Sequence, residues 1–223
     1  MPSPGGAATK KVGILGSGDV GQKLGTGFIR SGYNVRIGSR EPESEKLQRW
    51  REENGAAAST GTFEQAAQHG DLVVLATLWS GTENALKLAG PGHFSGKTVI
   101  DVTNPLVFHS TGMPTLALGH HDSGGEQVQR WLPQSHVVKA FNSAGNVHMF
   151  QPEFEGGPPD MYYCGNDETA KKAVRGVLET FGWNPVDLGG IEVSRILEPL
   201  CLLWVAYLFR TGTPNHALKM LRK

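Results

Sequence analysis

The feature that most constrains this chain is the glycine pattern GSGDVG near its N-terminus. It has the form GxGxxG, it follows the apolar run 11–15, and it leads into a segment with the apolar spacing of a helix. In that setting Gly16 permits a tight turn, Gly18 lets the backbone approach a pyrophosphate, and Gly21 lets the helix lie close to the strand. The helix N-terminus adds free N–H groups and the positive end of the helix dipole. The pattern therefore predicts a dinucleotide-binding loop at residues 16–21.

Apolar runs of strand length recur along the chain and alternate with segments of helical spacing, which predicts an α/β fold with a Rossmann-type parallel sheet covered on both faces. The further expected strands are 34–37, 71–77, 98–102, 136–141, 161–164 and 185–188. The expected helices are 20–31, 43–54, 62–68, 82–89, 126–132, 167–181, 193–209 and a last one from Pro214, with a long loop at 108–125.

Length and composition limit the domain organisation and the partners. We expect a loose leader at 1–9 and a single domain at 10–223, with about 160–223 as a C-terminal extension. Acidic and basic residues number 21 each, which favours neither nucleic acid nor an anionic membrane as a partner. The two cysteines, Cys164 and Cys201, are far apart and fit free thiols in a reducing compartment. We therefore expect a cytoplasmic protein that binds small molecules or copies of itself.

The residues after the second strand indicate which dinucleotide binds. NAD sites usually carry an acidic residue there, whereas this chain has Gly38-Ser39-Arg40. A hydroxyl and a guanidinium suit a 2′-phosphate, so the sequence favours NADP(H). Lys46, in the following polar helix, is a weaker candidate for a second contact.

Several motifs along the chain together resemble the coenzyme F420-dependent NADP oxidoreductases and the related cytoplasmic reductase domains of six-transmembrane metalloreductases. Besides the glycine loop they are GSR at 38–40, Leu78-Trp79, Asn104-Pro105-Leu106, KAFN at 139–142, CGND at 164–167 and LGGIEVSRILEPL at 188–200. The resemblance implies a Rossmann sheet with extra C-terminal strands, a small helical C-terminal part, a homodimer, and hydride transfer between NADPH and a second redox carrier.

The resemblance also implies roles for individual positions. Pyrophosphate contacts fall on Ser17, Gly18, Asp19 and Val20, and contacts to the 2′-phosphate on Ser39 and Arg40. The side of the site after the third expected strand falls on Thr77, Leu78 and Trp79, the nicotinamide contacts on Asn104 and Pro105, and the floor under the second carrier on 140–145, with Ala140, Asn142 and Ala144.

The floor segment Phe141-Asn142-Ser143-Ala144 differs from the His-Thr-Ile-Pro type of the deazaflavin enzymes and is more similar to the metalloreductase branch. The carrier is therefore left open between F420 and a flavin. We expect no dedicated catalytic residue, because hydride transfer between two ring systems depends on their proximity and orientation. We also expect no metal, because His120-His121 lacks further ligands at a suitable spacing.

Two other functions are compatible with the same motifs. A redox sensor would bind NADP(H) without turnover, because a fold and a cofactor site do not prove catalysis. A nicotinamide-dependent reductase of a small keto or imino acid would need a proton donor, and Lys139 lies within an expected buried strand, where it would be a poor one.

Overall fold

The computed structural model describes residues 10–221 and 223, so the leader expected at 1–9 lies outside the described residues. The described residues form ten strands: β1 (Lys11–Leu15), β2 (Asn34–Gly38), β3 (Ala58–Gly61), β4 (Leu72–Leu75), β5 (Thr98–Asp101), β6 (Leu106–Val107), β7 (Thr115–Leu116), β8 (His136–Lys139), β9 (Asp160–Gly165) and β10 (Asn184–Asp187). The α-helices are α1 (Asp19–Arg30), α2 (Glu45–Asn54), α3 (Phe63–His69), α4 (Trp79–Ala89), α5 (Gly124–Trp131), α6 (Glu168–Thr180) and α7 (Ser194–Thr211).

Eight strands form one sheet in the order β10-β9-β8-β5-β4-β1-β2-β3, while β6 and β7 form a separate antiparallel hairpin. Strands β8 and β9 are antiparallel, and every other neighbouring pair in the large sheet is parallel. The chain leaves β1 towards β2 and later returns to β4 on the other side of β1. This reversal opens a crevice at the carboxyl ends of β1 and β4, where ligands bind in sheets of this type.

Helices cover both faces of the sheet, as buried apolar strands require. Residues of α1, α2 and α6, such as Phe28, Trp50 and Leu178, pack in one core layer. Residues of α3, α4, α5 and α7 pack in the other, among them Ala66, Leu86 and Leu197. The expected α/β fold with a parallel Rossmann-type sheet, extra C-terminal strands and a C-terminal helical part is therefore confirmed. Within residues 10–221, none of the helices has the length and apolarity to cross a membrane.

The structure differs from the sequence-based expectations in several places. Strand β3, with the sequence ASTG, was not expected because it lacks apolar alternation, and it pairs with β2 at the edge of the sheet. The hairpin β6–β7 occupies part of the expected long loop. Helix α4 begins at Trp79, three residues before the expected start, which places Trp79 in the first turn of the helix.

The helix expected from Pro214 is wrong, because residues 213–221 form no regular element. Tertiary partners take up the polar groups of this segment instead. The His216 ring stacks on Trp204 with 4.6 Å between centroids, and the amide of Asp160 donates to the Leu218 carbonyl at 3.0 Å. The Met220 amide in turn donates to Asp160 Oδ2 at 2.8 Å. Contacts to α7 and β9 therefore replace the hydrogen bonds of a helix.

Candidate functional site

A cleft of about 960 Å³ lies at the carboxyl ends of the central strands. This volume is at the upper end of the roughly 300–1,000 Å³ range of small-molecule sites. The cleft brings together most of the residues predicted for the site: Gly16, Ser17, Gly18, Asp19, Val20, Ser39, Arg40, Thr77, Leu78, Trp79 and Asn104. Of the other predicted residues, Gly21, Lys46, Pro105, Ala140, Asn142 and Ala144 are not among those that line it.

The glycine loop is shaped by two glycines that the fold requires and one that faces open space. The Gly16 amide donates to the Gly38 carbonyl at 3.1 Å, and Gly16 has a φ of +123°, which L residues rarely adopt. A Cβ at Gly16 would lie 2.3 Å from the Ala76 carbonyl oxygen, and one at Gly21 only 2.1 Å from the Gly16 carbonyl oxygen. A Cβ at Gly18, the N-cap of α1, would meet nothing within 4 Å. The N-terminus of α1 is therefore open to the cleft.

Side chains beside the loop tie β1 to β2. Ser17 Oγ and Ser39 Oγ are 3.2 Å apart, and Gln22 Nε2 donates to the Ser17 carbonyl at 2.8 Å. Asp19 at the start of α1 forms an exposed ion pair with Lys46 of α2, with 2.8 Å between Asp19 Oδ1 and Lys46 Nζ. Lys46 thus holds Asp19 in this structure and does not line the cleft.

Arg40 lines the cleft with an exposed side chain. Within residues 10–221 its guanidinium makes no hydrogen bond and no ion pair. The neighbouring Ser39 hydroxyl accepts a hydrogen bond from the Glu41 amide at 3.1 Å, which fixes the turn after β2. A free guanidinium beside a held hydroxyl is a suitable arrangement for an anionic group.

The opposite side of the cleft is formed by the start of α4. Thr77 Oγ1 lies 2.8 Å from Thr82 Oγ1, which anchors the turn after β4. Leu78 is 74 % exposed at the N-cap of α4. Trp79 is half-buried and stacks on Trp131 of α5, with 5.5 Å between the ring centroids. The two tryptophans therefore hold α4 against α5 while Trp79 still reaches the cleft wall.

Asn104 joins the cleft to the segment after β8. Its Nδ2 donates to the Asn142 carbonyl at 2.8 Å, and Asn142 Nδ2 donates to Asn104 Oδ1 at 3.1 Å and to the Leu197 carbonyl at 2.7 Å. Ala140 is completely buried in the core and Asn142 is 3 % exposed. From this segment it is Asn146 that lines the cleft.

Sequence reasoning missed a buried charged cluster under this end of the cleft. Lys139 Nζ lies 2.8 Å from Asp101 Oδ2 and 2.8 Å from Glu198 Oε1, and it donates to the Thr103 carbonyl at 2.7 Å. All three charged side chains are at most 1 % exposed. Burial alone would lower the pKa of Lys139, but the two carboxylates beside it raise that pKa above its usual value. The lysine is therefore held as an ammonium group within an ion cluster.

Each member of this cluster gave a sequence signal by itself: Asp101 at the end of an apolar strand, Lys139 inside an expected buried strand, and Glu198 inside an apolar helix; their pairing gave none. Two other lining residues, Thr103 and Phe108, carried no signal because neither belongs to a motif.

The cysteines and two further histidines, which could take part in acid–base or thiol chemistry, lie outside the cleft. Cys164 and Cys201 are free, as expected, and burial raises the pKa of each thiol to about 11. His109 is hydrogen-bonded to Thr115 and His148 to Asn215, and neither histidine lines the cleft. Within the described part of the chain, no three His, Cys, Asp or Glu side chains are grouped so that they could hold a metal ion.

Comparison with known proteins places this chain in a family. The profile of the coenzyme F420-dependent NADP oxidoreductases matches residues 11–105. The F420-dependent NADP reductase of Methanocaldococcus jannaschii is 31 % identical over 206 residues, which cover 87 % of this chain and 91 % of that protein. The chain belongs to this family. The expected family and an NADP-dependent oxidoreductase class are thereby confirmed.

Other relatives of this F420-dependent oxidoreductase family member agree with that placement. A solved structure from Arthrobacter sp. FB24, assigned as an F420-dependent NADP reductase, has a TM-score of 0.90 at 32 % identity and covers 96 % of this chain and 100 % of its own. Metalloreductase STEAP3 of Rattus norvegicus is 30 % identical over 86 % of this chain, which spans 37 % of its length. A reductive aminase of Aspergillus terreus, at 22 % identity and a TM-score of 0.65 with 92 % of this chain and 64 % of its own covered, shares the fold.

Proposed function

We propose that this protein transfers a hydride between NADPH and a flavin-type or deazaflavin carrier. The observation that carries the proposal is one continuous cleft that runs from Arg40 beside β2, past the glycine loop, to Asn104 beyond β5. Such a cleft has the order of sites that a dinucleotide needs, with a phosphate-binding loop between two ends. Family membership supports the same activity.

The residues present fit NADP(H). The open surface at Gly18 gives a pyrophosphate access to the N-terminus of α1, whose amides and dipole favour anions. Ser39 and the unpaired Arg40 are placed to bind a 2′-phosphate by charge-assisted hydrogen bonds. Lys46 could join them only after leaving Asp19. The adenosine end then lies at β2, and the nicotinamide end falls on the side of β4 and β5.

The nicotinamide end is suited to ring chemistry rather than to acid–base catalysis. When bound, NADPH supplies the hydride, and the protein supplies position and shielding from water. Thr103 and Asn104 form the wall after β5, and Trp79 forms the wall at α4. The exposed side chains of Leu78 and Phe108 stand at the rim, where they would cover the face of a second planar ring.

The lining of this end also limits the second carrier. The lining residues contributed by β4, β5 and the elements that follow them carry no charge, and the charged lining residues are Asp19, Arg40 and Glu41. We infer that the site selects the carrier by its ring system and not by an anionic tail. F420, FMN and riboflavin are therefore the carriers to test first.

NADPH oxidation with a panel of acceptors tests the proposal. The purified protein is mixed with NADPH and with F420, FMN, FAD, riboflavin, ferric chelates or quinones, and the nicotinamide absorbance is followed. Turnover with F420 or a flavin supports the proposal and selects the carrier. Tight NADPH binding without turnover on any acceptor would overturn it in favour of a redox sensor.

We further propose that the protein is a cytoplasmic homodimer whose two copies meet along α7. Ile196, Leu203 and Tyr207 are each more than half exposed, and their spacing of seven and four places them on one side of the helix. An exposed apolar stripe of this kind is typical of an interface between copies. Leu203→Glu should convert a dimer to a monomer in light scattering, whereas Leu88→Glu on α4 should not; a monomeric wild type would overturn this.

A further inference from the structure

We propose that Lys139, Asp101 and Glu198 form a buried positioning triad that fixes the wall of the cleft against which the nicotinamide ring lies. The inference rests on the proposed function, because it needs NADPH in the cleft. The three side chains come from β8, β5 and α7, and none of them lines the cleft. They act through Thr103 and Asn104, which do.

The triad holds Thr103 from both sides of its backbone. Asp101 Oδ1 accepts hydrogen bonds from the Thr103 amide at 2.9 Å and from its hydroxyl at 2.7 Å. Lys139 Nζ donates to the Thr103 carbonyl at 2.7 Å. The amide and the carbonyl of the first wall residue are therefore both fixed by charged groups, which make stronger hydrogen bonds than neutral ones.

The triad also joins the wall to the two helices behind it. Glu198 accepts hydrogen bonds from the amides of Gly124 and Gly125 at 3.0 and 2.9 Å, at the N-terminus of α5. Gly124 packs so closely on Trp79 that a Cβ there would lie 3.1 Å from the indole ring. The carboxylate that neutralises Lys139 thus also sets the distance between α5 and the Trp79 side of the cleft.

The charges of the triad are largely balanced inside the protein. Two carboxylates and one ammonium leave one negative charge, which the N-terminal amides and dipole of α5 offset at Glu198. A buried ion cluster of this kind stabilises a fold weakly compared with apolar packing, and here its hydrogen bonds hold the Thr103 backbone and the first amides of α5. The triad lies directly behind Thr103, a residue of the cleft wall. A shift of this wall would change the orientation of a ring bound against it, on which hydride transfer depends.

The two ends of the cofactor separate this role from general stability. NADPH would reach both the Arg40 end and the nicotinamide end of the cleft, whereas adenosine 2′,5′-bisphosphate carries the 2′-phosphate without a nicotinamide. Glu198→Gln removes the charge and keeps only one of the two oxygens that accept from the α5 amides. In this variant we expect the Kd of NADPH to rise about tenfold and that of the bisphosphate to change less than about twofold. Glu192→Gln, the same change at an exposed residue before α7, should alter neither constant.

Asp101→Asn is the second variant, because it keeps an acceptor for the Thr103 amide while weakening the ion pair with Lys139. It should also raise the Kd of NADPH more than the Kd of the bisphosphate. An equal loss for both ligands, or no loss for NADPH, would overturn the positioning role. If the wild type binds neither ligand, the proposed function itself is wrong. If the wild type binds NADPH but the variants keep the wild-type ratio of the NADPH and bisphosphate dissociation constants, only the positioning role of the triad is wrong.

Discussion

Asn104 and Asn142 hold each other by two hydrogen bonds across the carboxyl ends of β5 and β8. The bonds run from Asn104 Nδ2 to the Asn142 carbonyl at 2.8 Å and from Asn142 Nδ2 to Asn104 Oδ1 at 3.1 Å. The third bond of this group, from Asn142 Nδ2 to the Leu197 carbonyl, brings in α7. The preceding residue, Phe141, has a φ of 60°, an uncommon conformation for a bulky side chain. Three elements are therefore fixed together behind the cleft.

Asn142→Asp should destabilise the protein by about 2–4 kcal/mol. The variant keeps the shape of the side chain but replaces two N–H donors by a carboxylate oxygen, which would face the Leu197 carbonyl and Asn104 Oδ1, both acceptors. Urea unfolding measures the difference. The control is Asn84→Asp, at an exposed residue of α4, and equal stability of the two variants would contradict the role of Asn142.

Gly18→Ala should separate ligand binding from stability. Gly18 has φ −71° and ψ 179°, which alanine also adopts, and the added methyl group meets no atom within 4 Å. We expect a Tm within about 1 °C of wild type but NADPH binding weakened by at least about tenfold, because the methyl group would occupy the approach of the pyrophosphate.

Gly16→Ala is the contrasting variant. Its φ of +123° and the nearby Ala76 carbonyl make a methyl group there incompatible with the fold, so its Tm should fall clearly. Calorimetry and NADPH titration of the two variants give the result. Tight NADPH binding by Gly18→Ala would show that the pyrophosphate does not lie at this loop.

Arg40→Ala should weaken NADPH far more than NADH. A hydrogen bond to a charged group contributes about 1.5–3 kcal/mol, so the Kd of NADPH should rise roughly 10- to 100-fold. The Kd of NADH, which lacks the 2′-phosphate, should change less than about threefold. Arg49→Ala in α2 removes the same charge from an exposed residue paired with Glu45 and is the control. An equal rise in the Kd of both nucleotides would show that Arg40 does not bind the 2′-phosphate.

The Glu126–Arg195 pair should make stability depend on acidic pH. The hydrogen bond from Arg195 holds the pKa of Glu126 below its usual 4.5, with 2.8 Å between Arg195 Nε and Glu126 Oε2. Since the pKa is lower in the folded state, this contribution is fully present above about pH 4.5 and is lost as the pH falls through the folded-state pKa. Arg195 is partly exposed, so screening by solvent keeps the effect small.

Glu126→Gln tests this contribution through the free energy of unfolding, measured at pH 7 and at a pH below the folded-state pKa of Glu126. The variant should lose stability at pH 7 and show a smaller decrease on acidification than the wild type. Glu192→Gln, a change at an exposed carboxylate, should follow the wild-type curve. If the free energy of unfolding of Glu126→Gln fell on acidification as much as that of the wild type, the prediction would be contradicted.

Much of the fold could be predicted from short apolar runs and glycine positions. Strand β1 has the expected bounds, and α1, β2 and α6 lie within one or two residues of theirs, because their signals are contained in neighbouring residues. Strand β3 and segment 213–221 could not be predicted in the same way. Both depend on partners distant in the sequence, β2 for the strand and Trp204 and Asp160 for the segment.

The candidate site divides along the same line. By itself the sequence determined the family and NADP(H) as the cofactor, and it predicted a dinucleotide-binding loop at glycines 16, 18 and 21 and 2′-phosphate contacts at Ser39 and Arg40, because these signals lie in local backbone geometry and charge. Only the tertiary structure decided that Ala140 lies in the core and that Lys139 meets Asp101 and Glu198. A buried charge is stable only beside its partners, and those partners come together only when β5, β8 and α7 pack.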